Sequence, residues 1–206
     1  MQAQALSRLL NASLLNNKRV AGFYVHIPFC AKKCSYCDFH FSTRFESHRD
    51  DMIHSIAQEI ILRKKECPPP LLSIYFGGGT PSLLTDKELA FLLKTIYENY
   101  LVNDRAEITL EANPEDISQK ALKGWQRAGI NRLSVGLHSF KDTDLKWMNR
   151  GHSTGQALEC IKQASGEGFK NISVDLMYGL PNLSVNEWKK HLRQALHPNI
   201  THVSAY

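Results

Sequence analysis

Residues 23–37 read Phe-Tyr-Val-His-Ile-Pro-Phe-Cys-Ala-Lys-Lys-Cys-Ser-Tyr-Cys, a short apolar run followed at once by three cysteines. The aromatic and β-branched residues at 23–27 predict a strand. Cys30, Cys34 and Cys37 follow with the spacing Cys-x-x-x-Cys-x-x-Cys. A loop this tight can direct three thiolates toward one centre, but it contains no fourth cysteine. The stretch therefore predicts a metal site at the end of the first strand.

The number of cysteines restricts the kind of metal site. Structural zinc is closed by four ligands, whereas a four-iron cluster held by three cysteines keeps one iron open for an exogenous ligand. A zinc knuckle completed by His40 is the alternative. Cys67 precedes a proline run and Cys160 lies within a helical pattern, so we interpret both as ordinary thiols.

Six short β-rich runs alternate with helical patterns along the chain. They are short and largely apolar, which is typical of a sheet covered by helices. Strands that alternate with helices pair in parallel through right-handed crossovers. Six such repeats could close into a full or partial barrel or form an open doubly wound sheet, and periodicity does not separate these options. The predicted strands are 23–27, 72–76, 107–111, 132–136, 172–176 and 201–205.

Polar residues, glycine and proline gather where the predicted strands end. The second strand runs into Gly-Gly-Gly-Thr-Pro at 77–81, the third into Glu-Ala-Asn-Pro at 111–114 and the fourth into Gly-Leu-His-Ser at 136–139. The carboxyl ends of parallel strands are where α/β folds place their functional sites. Capping boxes are predicted at three helix starts: Thr85 with Glu88, Ser153 with Gln156, and Ser184 with Glu187.

The composition, with 43% hydrophobic and 22% charged residues among 206, is that of an ordinary globular domain. No apolar run approaches the roughly 20 residues that cross a bilayer, so we expect no transmembrane segment. The net charge of +5 is scattered and lacks interleaved aromatic residues, which argues against a nucleic-acid partner. Five cysteines, an odd number, argue against a disulfide framework and favour a reducing compartment.

The two ends of the chain carry separate expectations. Nothing acidic precedes Asp38, and basic residues stand among Leu, Ser and Ala, a pattern shared with organelle-targeting peptides. We interpret residues 1–21 as a short N-terminal extension of a cytoplasmic protein and residues 22–206 as the core domain. No helical pattern follows the sixth strand, which indicates a core truncated there and a fragment of a longer protein.

Taken together, these motifs resemble a known family. The cysteine loop after a first strand is the signature of radical-SAM enzymes, and here Tyr-Val-His-Ile-Pro-Phe precedes it at 24–29. With the glycine motif at 77–81 and Asp-Leu-Met-Tyr-Gly-Leu-Pro at 175–181, the sequence resembles the oxygen-independent coproporphyrinogen III oxidase group, including its HemW-type haem chaperones. The resemblance runs from about residue 22 to residue 206. It implies an α/β fold, a (βα)6 partial TIM-type barrel of parallel strands.

The resemblance also implies the cofactors. In this family three cysteines, here Cys30, Cys34 and Cys37, hold a [4Fe–4S] cluster whose open iron chelates the amino and carboxylate groups of S-adenosylmethionine. One electron then cleaves the sulfonium bond to give methionine and a 5′-deoxyadenosyl radical, while the protein supplies position and electrostatics. A flavodoxin or ferredoxin is the kind of electron donor that this chemistry implies.

The resemblance assigns cofactor contacts residue by residue. Gly78, Gly79 and Thr80 match the glycine motif, where missing side chains let the backbone approach the methionyl amino group. Glu111 matches a carboxylate that holds ribose hydroxyl groups. Arg150 matches an arginine that pairs with the methionyl carboxylate, a charge-assisted contact.

Four further positions match cofactor contacts of the family. Tyr36 matches a neighbour of the adenosyl group, and Tyr24 and Asp175 match residues of the cofactor pocket. His138 is a departure, because the family commonly has Gln in a Gly-x-Gln-Ser-Phe stretch. Histidine can still donate one hydrogen bond, while its geometry and its response to pH differ from those of Gln.

Phe39 separates two functions within the resemblance. The oxidases carry a further cysteine two residues after the third ligand, and HemW-type proteins have Phe there, as in Cys-Asp-Phe at 37–39. The oxidases also have a longer segment before the cluster loop than the 29 residues that precede Cys30. Both points favour a chaperone that binds haem and transfers it to acceptor proteins over an oxidase that converts coproporphyrinogen III to protoporphyrinogen IX. A remnant with a structural metal and no cofactor chemistry is the third alternative. The C-terminal region where HemW-type proteins carry a haem-associated motif lies beyond Tyr206.

Overall fold

A computed structural model describes residues 21–196 and 198–206. Within these ranges six strands alternate with six α-helices, and each predicted strand is present. The strands are β1 (Ala21–Ile27), β2 (Leu71–Gly78), β3 (Val102–Ala112), β4 (Arg132–His138), β5 (Ile172–Leu176) and β6 (His202–Ala205). The helices are α1 (Arg49–Leu62), α2 (Asp86–Asn99), α3 (Gln119–Ala128), α4 (Asp142–Trp147), α5 (Thr154–Gly166) and α6 (Val185–Ala195).

The strand order decides between the architectures that periodicity leaves open. All neighbouring strands are parallel, and they lie side by side in the order β1-β2-β3-β4-β5-β6. A doubly wound sheet reverses its order at a switch point, and the described strands show no reversal. Right-handed crossovers in one constant direction curl a sheet toward a barrel. In the described part of the chain β1 and β6 are the two edges, so the fold is an open (βα)6 partial barrel, as the resemblance implies.

The two faces of the sheet differ in polarity. Side chains that point toward the helices are apolar and fully buried, as at Ile74, Phe76, Leu110, Leu133 and Val174. Since side chains alternate along a strand, the residues between them line the inside of the barrel. These inner residues are mainly polar and include Tyr24, Tyr75, Thr109, Glu111, Ser134 and Asp175.

The helix starts carry the caps that the sequence predicts. At the starts of α2, α5 and α6 the side chain of Thr85, Ser153 or Ser184 accepts a hydrogen bond from the backbone N–H of the third helical residue. The side chain of that third residue accepts a hydrogen bond in return from the backbone N–H of the capping residue. A cap of this kind contributes about 0.5–2 kcal/mol. Each of the helices α1 and α2 buries one apolar face, which consists of Ile53, Ala57, Ile60, Leu89, Leu92, Leu93 and Ile96.

Arg49 joins α1 and α2 to the start of the cysteine loop. Its Nε and Nη2 donate to the two carboxylate oxygens of Glu88 at 2.6 and 2.8 Å, and Nη2 also donates to the carbonyl of Leu83. The guanidinium carbon lies 5.1 Å from the ring centroid of Phe29 and 5.5 Å from that of Phe45. The residue directly before Cys30 is therefore held by packing and by a cation–π contact.

The predicted N-terminal extension is residues 1–21. All of it except Ala21, the first residue of β1, lies outside the described residues. Its boundary with a core at residues 22–206 stays a prediction. Among the described helices none has the length and hydropathy to cross a bilayer.

Candidate functional site

The cysteine loop is fixed at several points along its length. Cys30 N donates to the carbonyl of Ser42 at 3.1 Å, and Ser42 N donates to the carbonyl of Pro28 at 2.8 Å. Further along, Ser35 N donates to the carbonyl of Met148, and the Asn149 amide donates to the carbonyl of Lys33 at 2.7 Å. These bonds tie the loop to the segment that follows α4, so its shape depends on residues more than a hundred positions away.

The three thiols differ in exposure. Cys30 is 7% exposed, and Cys34 and Cys37 are half-buried. Burial raises the pKa of the Cys30 thiol, and the hydrogen bond that Thr80 Oγ1 donates to its Sγ at 3.4 Å opposes the rise. The guanidinium of Arg150 lies 3.5 Å from the Sγ of Cys34. The Thr80 hydroxyl and the Arg150 guanidinium thus place hydrogen-bond donors beside the sulfur atoms of Cys30 and Cys34.

The glycine motif packs directly on the cysteine loop. Gly79 N donates to the carbonyl of Ile27 at 2.8 Å, and a Cβ at Gly79 would meet backbone atoms of Ile27 and Phe29 within 3.1 Å. Gly78 has a φ of +108°, in the left-handed region, where only glycine is free of strain. Gly78 is thus required by its backbone conformation, and Gly79 by its close packing against the backbone before the cysteine loop.

Glu111 ends β3 and faces the same space. Its Oε1 accepts from the hydroxyl of Tyr75 at 2.7 Å, and its Oε2 accepts from Gly78 N at 3.1 Å. Burial raises the pKa of this carboxyl and the neighbouring Asp175 adds to the rise, while the two hydrogen bonds oppose it. The carboxylate is held in one orientation at the edge of the glycine motif.

Arg150 is a buried cation at the centre of the site. Its Nη2 donates to Asn113 Oδ1 at 2.6 Å and to the carbonyl of Gly136 at 2.9 Å. Its Nε is buried without a hydrogen-bond partner. A buried donor left unpaired costs about 1–3 kcal/mol, which is the signature of a group that awaits an acceptor.

The side chains of His138 and Tyr36 are in contact with each other and line the same cavity as the cysteines. Their ring centroids are 5.3 Å apart, and His138 has a φ of +63°, uncommon for a residue other than glycine. The Nδ1 of His138 is buried without a partner. Burial, and then the charge of Arg150, hold the pKa of this imidazole well below its usual value, so the ring is neutral and offers one donor and one acceptor.

One cavity of about 310 Å³ joins these groups. The predicted ligands and contacts that line it are Cys30, Cys34, Cys37, Tyr36, Gly78, Gly79, Thr80, Glu111, His138, Arg150 and Asp175. This volume is within the range of small-molecule pockets. Burial raises the pKa of Asp175, and a hydrogen bond from Ser204 opposes the rise. The structure therefore brings together residues that are separated by up to 145 positions in the chain, at the carboxyl ends of β1 to β5.

Tyr24 is the predicted contact that the structure places elsewhere. It is 57% exposed, it does not line the 310 Å³ cavity, and its ring is stacked on Tyr75 at a centroid distance of 6.0 Å. It lies two residues below His26 on the inner face of β1, whereas the cavity begins beyond the end of that strand. Its direct contact with a cofactor stays a prediction that this arrangement does not support.

The donor set can be compared with the metals that the cysteine spacing permits. Across residues 21–196 and 198–206, no three His, Cys, Asp or Glu side chains converge on a position for a single metal ion. His40 instead lies beside His26, with ring centroids 6.2 Å apart. In an iron–sulfur cluster each thiolate binds a different iron atom, so the thiols need not converge on one ion. Three thiols on one loop, together with two buried nitrogens that have no hydrogen-bond partner, fit a cluster with a polar ligand.

Sequence reasoning missed two residues of the site. Asn113 fixes the guanidinium of Arg150, and Tyr75 holds Glu111. Asn113 stands in a strand-end motif that the sequence does flag as functional, without a role of its own. Tyr75 alternates with buried apolar residues on β2, and that alternation was the available signal for an inner-face position.

Comparisons with known proteins show which sequences this chain is similar to. A heme chaperone HemW of Haemophilus influenzae is 39% identical over 189 residues, which cover 89% of this chain and 49% of that protein. A radical S-adenosyl methionine domain-containing protein 1 of Danio rerio, described as mitochondrial, is 38% identical over 90% of this chain and 42% of its own length. The chain thus spans about half the length of the curated relatives that it matches.

The solved structures give the same fold. Coproporphyrinogen III oxidase (HemN) from Escherichia coli, a radical SAM enzyme, superposes with a TM-score of 0.79 at 28% identity, over 96% of this chain and 47% of that one. The profile of the Radical SAM superfamily matches residues 24–195, which include the cysteine loop, the glycine motif and all six helices. On this match, and on the site that those residues build, the chain belongs to the radical SAM superfamily.

Proposed function

We propose that Cys30, Cys34 and Cys37 hold a [4Fe–4S] cluster and that the adjoining cavity binds S-adenosylmethionine. The observation that carries this proposal is the single cavity in which the three thiols face the glycine motif, Glu111 and Arg150. When bound and reduced, the cluster supplies the electron that cleaves the sulfonium bond of the ligand. The tasks of the protein are to bind, orient and exclude water.

The residues of the cavity match the parts of that ligand. Gly78 and Gly79 line the cavity, where a methionyl amino group is expected close to their main chain. Arg150, with its unpaired Nε, supplies positive charge for a carboxylate. Glu111 accepts hydrogen bonds from ribose hydroxyl groups, and the neutral imidazole of His138 offers one hydrogen bond where the family commonly uses an amide.

The whole protein acts, in this proposal, as a haem chaperone that binds haem and transfers it to acceptor proteins. The names of relatives at 34–39% identity support this reading, and so does Phe39, which is 71% exposed at the edge of the cavity, where the oxidases carry a cysteine. We place the protein in the cytoplasm and take a flavodoxin or ferredoxin as its electron donor. The likeness to HemN favours coproporphyrinogen oxidation as the second candidate.

Anaerobic reconstitution with iron and sulfide, followed by two assays, tests the proposal. We expect four irons and four sulfides per chain and an optical change on addition of S-adenosylmethionine. The whole protein should bind haem stoichiometrically and should not convert coproporphyrinogen III. Cys34→Ser should lose the cluster, and Cys160→Ser, a buried thiol on α5, is the matched control that should keep it. Failure to bind four irons would contradict the cluster assignment. Turnover of coproporphyrinogen III without haem binding would replace the chaperone by the oxidase.

A further inference from the structure

The carboxylate of Glu111 is held on both sides before any ligand binds. Tyr75 donates to Oε1 at 2.7 Å, and Gly78 N donates to Oε2 at 3.1 Å. A carboxylate offers about four lone-pair sites, two on each oxygen. The two protein donors occupy one site on each oxygen, so each oxygen keeps one site free. Two free acceptor sites, one on each oxygen, match in number the two neighbouring hydroxyl groups of a ribose.

Tyr75 reaches this carboxylate from outside the cavity. It lies on the inner face of β2, and its ring is stacked on Tyr24 with an interplanar angle of 22°. The cavity lining includes Glu111 and does not include Tyr75. A Cβ at Gly77 would lie 2.8 Å from each tyrosine ring and 3.1 Å from Glu111 Oε1, so the contact depends on a glycine at that position. Glu111, which lines the cavity, is therefore a route by which Tyr75 acts on a ligand that it does not itself reach.

We propose that Tyr75 is a positioning residue whose hydroxyl orients the Glu111 carboxylate toward the vicinal hydroxyl groups of the ligand ribose. This inference rests on the proposed binding of S-adenosylmethionine. It adds to the site a residue that does not touch the ligand, and it predicts that the contribution of Tyr75 disappears when either Glu111 or the ribose hydroxyl groups are removed.

The charges around the pair support this role. Burial and Asp175, on β5, raise the pKa of Glu111, whereas the hydroxyl of Tyr75 and the amide of Gly78 lower it. Burial first, and then Glu111 itself, raise the pKa of Tyr75, so the phenol stays protonated and remains a donor. Tyr24, on β1, is the other titratable group that faces this carboxylate, and its pKa is also raised by burial and by Glu111. Removal of the Tyr75 hydroxyl should therefore raise the pKa of Glu111 further.

Equilibrium binding of S-adenosylmethionine to the reconstituted protein tests the inference in four variants. We compare the unchanged chain with Tyr75→Phe, Glu111→Gln and the double variant, at equal iron content. Loss of a hydrogen bond to a charged group predicts that Tyr75→Phe weakens binding about 10- to 150-fold. Because Tyr75 acts through Glu111, the double variant should bind within twofold of Glu111→Gln alone. As the pH is lowered, the affinity of Tyr75→Phe should also begin to fall at a higher pH than that of the unchanged chain, because Glu111 is protonated earlier without the Tyr75 hydrogen bond.

Two controls separate positioning from a loss of stability. Tyr100→Phe removes another hydroxyl hydrogen bond of 2.7 Å, to the carbonyl of Ile60, at a site remote from the cavity, and should leave affinity unchanged. A 2′,3′-dideoxy analogue of the ligand should bind equally well to the unchanged chain and to Tyr75→Phe. Additive losses in the double variant, an undiminished effect on the analogue, or unchanged affinity in Tyr75→Phe would each overturn the inference while leaving the proposed function intact. Absence of binding by the unchanged chain would overturn both.

Discussion

Replacement of Gly79 by alanine should push the glycine motif away from the cysteine loop. A Cβ at this position would lie 2.6 Å from the carbonyl oxygen of Phe29 and 2.9 Å from that of Ile27. Both are backbone atoms, which cannot rotate aside as a long side chain can. Gly79 N donates to the same Ile27 oxygen at 2.8 Å, so the displacement also lengthens that hydrogen bond.

The size of the effect follows from the contact distance. Ordinary van der Waals contact begins at 3.4 Å, so a separation of 2.6 Å is about 0.8 Å too short. Overpacking of a tight site costs about 1–3 kcal/mol, which corresponds to a fall of roughly 2–12 °C in the melting temperature of a domain this size. The displaced carbonyl of Phe29 belongs to the residue before Cys30. We therefore expect reconstituted iron to fall below four per chain.

Urea denaturation and iron analysis measure these two effects. Gly166→Ala is the matched control, because Gly166 is the last residue of α5 and an added Cβ there meets nothing within 4 Å. Alanine in a helix is favoured over glycine, so this variant should gain about 0.5–1 kcal/mol. If Gly79→Ala keeps both its unfolding free energy and its four irons, the close contact between the motif and the loop is not as described.

Three further changes have expected outcomes. Arg49→Met removes the paired hydrogen bonds to Glu88 and should lower the unfolding free energy by about 1–3 kcal/mol in urea titrations; an unchanged value would contradict the link between α1 and α2. The hydrogen bond from Lys141, then those from Ser184, lower the pKa of Glu187 from 4.5 to about 2. The stability from this depressed pKa is present above pH 4.5 and lost as the pH falls toward 2, so Glu187→Gln should flatten the acid decline of the unfolding free energy between those values. Burial raises the pKa of Cys160 to about 12, so iodoacetamide should leave it unmodified in the folded protein at about pH 8, and a modified Cys160 peptide in mass spectra would show that α5 opens.

The local features of the fold could be predicted because their causes are local. Cysteine spacing, capping boxes and strand-end glycines each depend on a few adjacent residues, and the structure places each of them as predicted. Strand order is different, since it depends on which strands pair across crossovers of 19 to 43 residues. Periodicity could not distinguish a barrel from a doubly wound sheet, and only the pairing of β1 through β6 in sequence order decides it.

Contacts within the site show the same division. The positions of Glu111 and Arg150 at strand and loop ends could be predicted, but their partners could not. Tyr75 and Glu111 are 36 positions apart, and Arg150 and Asn113 are 37 apart. The first pair depends on the register between β2 and β3, where a shift of one residue moves a side chain to the other face of the sheet. The second pair depends on how the segment after α4 packs against the end of β3. The resemblance likewise assigned Tyr24 to the cofactor pocket, whereas its position outside the cavity lining could be seen only in the structure.

The polarity of the inner face explains how this fold accommodates a site. A closed eight-stranded barrel fills its interior with layers of bulky branched side chains. Here the sheet is open between β1 and β6 in the described part of the chain, and polar side chains take the place of that apolar filling. The buried apolar residues lie between the sheet and the helices, while Tyr75, Thr109, Ser134 and Asp175 line the inside. Because the inner residues contribute little to that apolar layer, their replacement should change ligand binding more than stability, and Tyr75→Phe compared with Tyr100→Phe tests this division directly.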